Sequence, residues 1–416
     1  MRERRKILLV FNLIVFLIVP SLSQNIVKTV KPNENQTTSL LNNSNQELDL
    51  LHGETYIKVI AFENISHSVN FSYVVPPIYG YQAPILIELR NDTTANIISY
   101  RVYNDTNNPN KIINFIIAPM KKDENATFHF DFLVLVKDQW YTDFPTYIRK
   151  PLRCQLPEET KIWLEPTNVI QSNALRIKLT AFVLKGFNTN ILKIARRISN
   201  FTFGKIEYLG GGLQDAFNTL RNKQGVCTGK ANLGTALFRA SGIPAKDLIV
   251  MPTNNVWFYM HFISEYYCSY KGWILVETTM GRTPFRQKHD IILRINYPED
   301  ENNAGVDGSE LYYWIDSKNV DIAMDPLNGS GSRAWIENNI MIDKSTANLT
   351  FNLTQEVYSL HTKYIGMDLN ETNTLHYTNA LIAQQNAINC FMQSDVLGYF
   401  NNMTIAYDEY NQINVY

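Results

Sequence analysis

Residues 225–244 read GVCTGKANLGTALFRASGIP. Cys227 stands where a helix begins, and Ser241-Gly242-Ile243-Pro244 stops it, with glycine at the C-cap and proline two residues on. A cysteine in a first helical turn lies among unpaired N–H groups at the positive end of the helix dipole, which favours thiolate over thiol. Most lone cysteines are buried small hydrophobes or disulfide halves, so position alone nominates Cys227 without giving it a role.

The following segments supply partners. Leu248-Ile249-Val250-Met251 reads as a strand, and residues 258–267 and 272–278 read as a hairpin. Pairing Tyr267 with Lys271 around a three-residue turn sets His261 opposite Glu277, Ile263 opposite Leu275 and Glu265 opposite Trp273. Opposed residues share a face with Cβ atoms about 5 Å apart. In that register a carboxylate lies beside the imidazole, fixing its tautomer and stabilising its cation, as the third member of a nucleophilic triad does. A different turn length would change the register. Glu265 reads as a polar residue of a half-exposed strand, Trp273 as core, and Cys268 falls at the turn, free to pair with Cys154 or Cys390.

Four stretches now stand in order: Arg221 to Cys227, Leu237 to Ala245, the strand from His261 to Glu265, and Gly272 to Thr279 (GWILVETT). In order and spacing they resemble the transglutaminase-like superfamily, over roughly residues 170–300. The resemblance implies a papain-like α+β core with a Cys-His-Asp triad. Carried over by position, Cys227 is the nucleophile, and His261 the general base and later the general acid. Glu277 stands where the family usually has Asp, with the same charge and one more methylene. The Cys227 backbone N–H would belong to the oxyanion hole; a second donor is not assigned. The chemistry requires no cofactor, and Asp300-Glu301-Asn302-Asn303 is only a weak approach to a calcium loop. Two functions follow. One is extracellular acyl transfer on peptide or side-chain amides through a thioester at Cys227, with hydrolysis favoured over crosslinking. The other is a surface-binding scaffold whose cysteine domain has lost catalysis, a reading that Glu277 and the sequon-rich flanks favour.

Outward from this centre the patterns change. Residues 56–62, 85–89, 97–103, 112–117 and 128–136 are short β-rich runs separated by turn formers such as Asn91-Asp92 and Asn107-Asn108-Pro109-Asn110, which predicts an antiparallel β-sandwich over 50–140. A linker spans 141–169, with Pro145, Pro151 and Pro157. Residues 172–185 have helical spacing, with Leu175, Leu179, Phe182 and Val183 able to share one face and Gly186 as the stop. Residues 190–199 repeat the habit, and a third short helix follows Asp215. The region 301–416 reads as mixed strands to about 365 and helix over 373–398.

The N-terminus bears on compartment. Met1 to Lys6 is basic, Ile7 to Val19 is apolar apart from Asn12, and Pro20-Ser21-Leu22-Ser23 offers small residues for cleavage. Residues 1–23 are therefore a signal peptide or an uncleaved membrane anchor, followed by a polar stalk over 24–49. Sequons crowd the flanks, whereas only Asn200 qualifies between Leu133 and Pro326, so the middle of the chain stays accessible. A net charge of -1 gives no argument for nucleic acid. The partners expected are a peptide or protein substrate and cell-envelope proteins, at an extracellular or surface location.

Overall fold

Why the N-terminal half becomes a sandwich is visible in its alternation. Strands β1 (Asn45–Ala61), β2 (Val69–Val75), β3 (Gln82–Leu89), β4 (Ile97–Asn104), β5 (Lys111–Ile117) and β6 (Asn125–Lys137) are all antiparallel. The computed structural model describes residues 45–106, 109–137, 144–210, 212–254, 260–304, 312–323 and 330–414. The expected signal or anchor and most of the expected stalk lie outside these residues, as do 258 and 259 of the expected hairpin. One sheet runs β3-β6-β1 and the other β4-β5-β2. Their inner faces meet through Phe71, Phe115, Phe128 and Phe130, with Phe115 and Phe128 ring centroids 4.6 Å apart.

Four of the expected β-runs fall within these strands and the fifth, 56–62, overruns β1 by Phe62; β2 and the first residues of β1, within the expected stalk, are additional. Helices α1 (Glu158–Lys161), α2 (Leu175–Lys185), α3 (Ile191–Lys205), α4 (Ala216–Asn222) and α5 (Cys227–Ala240) follow. A third antiparallel sheet, β10-β7-β8-β9, is built from β7 (Ala245–Pro252), β8 (His261–Cys268), β9 (Gly272–Val276) and β10 (Asp290–Ile295). Helix α5 is buried along nearly its whole length. Its end is pinned by Arg239, which donates to both carboxylate oxygens of Glu301 at 2.8 and 2.6 Å and to the carbonyls of Ala245 and Glu165. Glu301 belongs to α6 (Pro298–Asn303).

The four residues of α2 do share a face, and it is the outward one. Leu175, Leu179, Phe182 and Val183 are exposed, and Ile177 and Ala181 face the core instead. The helix is apolar on both sides, so spacing did not choose the buried face. A second difference lies in the C-terminal region. Short strands β11 (Tyr313–Ile315) and β12 (Val320–Ile322) and the long β13 (Gly331–Asp343) return to the sandwich, β13 pairing with β1 over residues 45–56. Strand structure then ends at Asp343, not near 365. Helix α7 (Lys344–Tyr364) begins there with the Asp343 side chain accepting from Thr346 N–H. Its threonines disguise it as β, yet Ala347, Phe351, Thr354, Tyr358 and His361 recur on one buried face. Helices α8 (Glu371–Met392) and α9 (Val396–Asn411) replace the expected single helix, broken at Ser394 with φ +61. These three helices cover the outer face of β3 and β6.

Sandwich and helical core share one interior. Gly53 of β1 makes this possible: a Cβ there would meet Met251 Sδ at 2.8 Å and Ile291 Cδ1 at 2.9 Å. No helix among the described residues is long and apolar enough to cross a membrane.

Candidate active site

Cys227 is the first residue of α5, and Val226 before it is extended with no side-chain cap. The loop before α4 does the gripping. Gln214 accepts from Val226 N–H at 2.9 Å through Oε1, and its backbone carbonyl accepts from Asn232 Nδ2 at 2.8 Å. Gly229 lets this loop close on the first turn, since a Cβ there would lie 2.6 Å from Gln214 Oε1. The thiol is thereby held at the end of the helix where N–H groups are unpaired.

The hairpin brings His261 and Glu277 to the same place, in a register that differs from expectation. Ser264 pairs with Val276 and Cys268 with Gly272, a shift of two residues. The cause is the turn: Lys271 N–H donates to Cys268 O, and Gly272 takes φ +78, so Cys268 ends the strand, fully buried. A shift of two preserves faces because side chains alternate with period two. Glu277 therefore still faces His261, on the diagonal, and its Oε2 lies 2.6 Å from His261 Nε2. Thr279 N–H donates to the other carboxylate oxygen at 2.7 Å, so both oxygens are fixed.

The Cys227 thiol lies against the same imidazole, close enough for thiol and ring to interact. Burial pushes that thiol up, but the His261 hydrogen bond and charge, with the Phe262 N–H, outweigh burial and leave it below its ordinary value. Burial pulls His261 down, and the Glu277 charge and the Cys227 contact more than reverse this, leaving it well above the ordinary imidazole range. Both shifts act in the direction that favours thiolate and imidazolium.

Three neighbours were not anticipated as site residues. The Tyr208 hydroxyl lies within hydrogen-bond reach of both the backbone N–H and the sulfur of Cys227; burial, then the thiol's charge, raises it. Lys230, one turn along α5, is buried with Nζ 5.9 Å from the Tyr208 ring, and burial pulls it down to about 8 against the charge of Glu277. Asp290 is buried near His261 and Glu277, and burial holds it well above the carboxylate range. No short motif marks Tyr208. Lys230 could have been suspected from its position three residues after Cys227, on the same side of the helix.

Other expected or eligible residues lie elsewhere. Glu265 pairs with Lys246 at 3.2 Å and takes a short hydrogen bond from Tyr79, and Trp273 stacks over Lys246 and packs on Trp163. Asp300 bonds Arg294 and Glu301 bonds Arg239, which commits the carboxylates of the weak calcium candidate. Among the described residues Glu54, His129 and Asp131 have metal-ligand proximity, but Arg90 and Arg333 already donate to Glu54. All four cysteines are free thiols.

An α+β core with a cysteine at a helix start and a histidine–carboxylate pair on the facing hairpin defines the papain-like class of thiol folds. Residues 179–278 match the model of the transglutaminase-like superfamily core, and this segment is a transglutaminase-like domain. No curated protein matches the sequence. Among solved structures, a putative cysteine protease from Cytophaga hutchinsonii is 16% identical, covering 73% of this chain and 92% of that one with a TM-score of 0.51. That likeness extends the shared fold beyond the matched segment. The periplasmic domain of TgpA from Pseudomonas aeruginosa is 13% identical over 56% of this chain and 88% of its own, at a TM-score of 0.26.

Proposed function

We propose that this protein is an extracytoplasmic thiol acyl-transfer enzyme acting on peptide or side-chain amides, with hydrolysis its main outcome. The observation that carries the reading is the continuous chain from the Cys227 thiol through His261 to Glu277, whose carboxylate is itself anchored by Thr279 N–H. The Cys227 thiolate attacks the amide carbonyl carbon, and the oxyanion forms beside the Cys227 N–H and the Tyr208 hydroxyl. Imidazolium His261 gives its proton to the departing amine as the C–N bond breaks, leaving a thioester on Cys227. His261, now neutral, takes a proton from water, whose oxygen attacks the thioester. The carboxylic acid leaves and the thiolate is restored beside imidazolium His261. Glu277 holds the imidazole in the tautomer this sequence needs and stabilises its cation. Among the described residues nothing in the site selects an amine over water as the second acceptor. The basic-then-apolar N-terminus and the sequons of the flanks support a location outside the cytoplasm, cleaved or anchored.

The test is an acyl-enzyme trap. The full chain is mixed with a casein digest, quenched in acid and examined by intact-mass spectrometry. A hydroxylamine-sensitive adduct on the Cys227 peptide, absent from Cys227→Ala, is expected. Digestion products without any dependence on Cys227, or no adduct and no cleavage over a broad peptide set, would remove the proposal.

A further inference from the structure

The outer face of α2 has no use in the chemistry above, and its composition is unusual for a surface. Leu175, Leu179, Phe182 and Val183 are 72%, 57%, 66% and 75% exposed, and no described residue covers them. At 3.6 residues per turn these four occupy an arc of roughly 100°. Lys178 and Lys185 border that arc on one side and Arg176 on the other, while Ile177 and Ala181 point into the core. The helix ends at Gly186, and Phe187 beyond it stands fully in solvent. Tyr147, also exposed, reaches the same loop, its hydroxyl 2.9 Å from Thr189 Oγ1.

Charge is equally one-sided. From Pro166 to Ile206 the chain carries Arg176, Lys178, Lys185, Lys193, Arg196, Arg197 and Lys205, and no Asp or Glu. Arg197 crosses from α3 to donate to the Leu184 carbonyl at 3.2 Å, bringing a further cation to the C-terminal end of α2. An apolar arc with basic borders is the pattern of a helix lying in a membrane interface: the hydrocarbon side chains enter the headgroup boundary and the long cations reach phosphates. Exposed aromatic rings at Phe187 and Tyr147 suit the same depth. A second copy is a poorer occupant. A self-complementary interface over this face would bring two identical basic borders together with no acid to answer them.

We propose that the outer face of α2, with the Phe187 loop, docks on an anionic lipid bilayer and seats the transglutaminase-like domain against the membrane surface. The inference does not depend on catalysis by Cys227. It gives the apolar arc an occupant that needs no pocket and explains why the basic residues border it.

The experiment uses the full chain with Cys154→Ser, Cys227→Ser and Cys390→Ser, carrying an environment-sensitive bimane at Leu179→Cys. A matched chain carries the label at Lys318→Cys, an exposed residue of the sandwich. Vesicles are phosphatidylglycerol-rich or pure phosphatidylcholine, with doxyl lipid as the quencher. Any hold that the N-terminal segment takes on the vesicle leaves the readout local to the label. The expected result is quenching and a blue shift at position 179 on phosphatidylglycerol-rich vesicles, little on phosphatidylcholine, and none at position 318. Combined Arg176→Glu, Lys178→Glu and Lys185→Glu should lower the quenching about tenfold or more, since each basic residue near an anionic surface contributes severalfold in binding. A label at 179 that stays in water on vesicles to which the chain is bound would overturn the proposal. So would equal quenching on both lipids. Shielding without vesicles would also overturn it, pointing to a second copy if it grows with protein concentration and to the chain's own apolar N-terminus if it does not.

Discussion

Alkylation of Cys227 by iodoacetamide as a function of pH tests whether α5 and the hairpin act as one unit. Only the thiolate reacts, and an ordinary thiol with a pKa near about 8.5 is only about 1% ionised at pH 6.5. Here the thiol is lowered and the imidazole raised, and both shifts move the shared proton toward nitrogen. Full ionisation would raise the thiolate population at pH 6.5 about a hundredfold over an ordinary thiol, which is the ceiling on the gain. Part of that is returned, because a less basic thiolate is a weaker nucleophile by about threefold per unit of pKa. Labelling about tenfold faster than an ordinary thiol is the expected net result. His261→Ala removes the His261 contact and charge, leaving desolvation and the Glu277 carboxylate to push the thiol up against the Phe262 N–H alone. The rate at pH 6.5 should then fall more than tenfold and the profile should move to higher pH. The assay is peptide mass spectrometry on the native chain, with the exposed Cys154 as a reference for reagent and time. Cys227 labelling no faster than Cys154 at pH 6.5, with a profile that His261→Ala does not move, would refute the coupling.

The diagonal placement of Glu277 predicts that Glu277→Asp, although it restores the residue usual in the family, lowers Cys227 labelling at pH 6.5 severalfold, because the shorter side chain falls short of His261 Nε2; Glu277→Gln should do so more strongly. Arg239→Ala leaves Glu301 buried without its partner and should cost about 3–5 kcal/mol in urea unfolding, while Arg239→Met with Glu301→Leu should recover most of it. Gly234→Ala would drive a Cβ to 2.7 Å from Thr278 Cγ2; about 1–3 kcal/mol of lost stability and slower Cys227 labelling are expected together, since Thr278 follows Glu277. His361, buried between α9 and β3, is held down to about 4 by desolvation. A depressed imidazole is neutral in the fold while the unfolded chain takes up a proton, so stability is full above about 6.5 and lost as pH falls to about 4, about 3 kcal/mol in all. Urea midpoints on either side of that window should differ less in His361→Gln.

Local rules were enough to read the centre of the molecule. A glycine–proline stop after an apolar run ends α5 where it should end, at Ala240 with Gly242 at φ +75. The alternation in the hairpin put His261 and Glu277 on one face, and that survives the two-residue shift because parity, not exact opposition, determines the face. What could not be read was decided by distant contacts. Tyr208 reaches Cys227 from a loop with no motif. Strand β13 finds β1 across nearly the whole chain, and nothing local in either announces the other. Helix α7 is threonine-rich, and its buried face becomes visible only once the β3–β6 sheet is there to cover.

The substitution of Glu for Asp follows from the same geometry. Ladder pairing between β8 and β9 stops at Ser264 and Val276. Beyond it Glu277 leaves the ladder to bridge Arg282, its N–H donating to Arg282 O at 2.9 Å and its carbonyl accepting from Arg282 N–H at 3.0 Å. His261 thus has its carboxylate partner diagonally across the sheet rather than directly opposite. Diagonal neighbours lie about 7–8 Å apart at Cα, a gap that longer side chains cross and short ones do not. With the strand held by the Arg282 bridge, and by Gly281 at φ +69 against Phe203, the backbone cannot move closer to accommodate a shorter acid. The added methylene supplies the reach that the register withholds. Glu277 is therefore long enough to reach His261 from this diagonal position, which fits the triad proposed above.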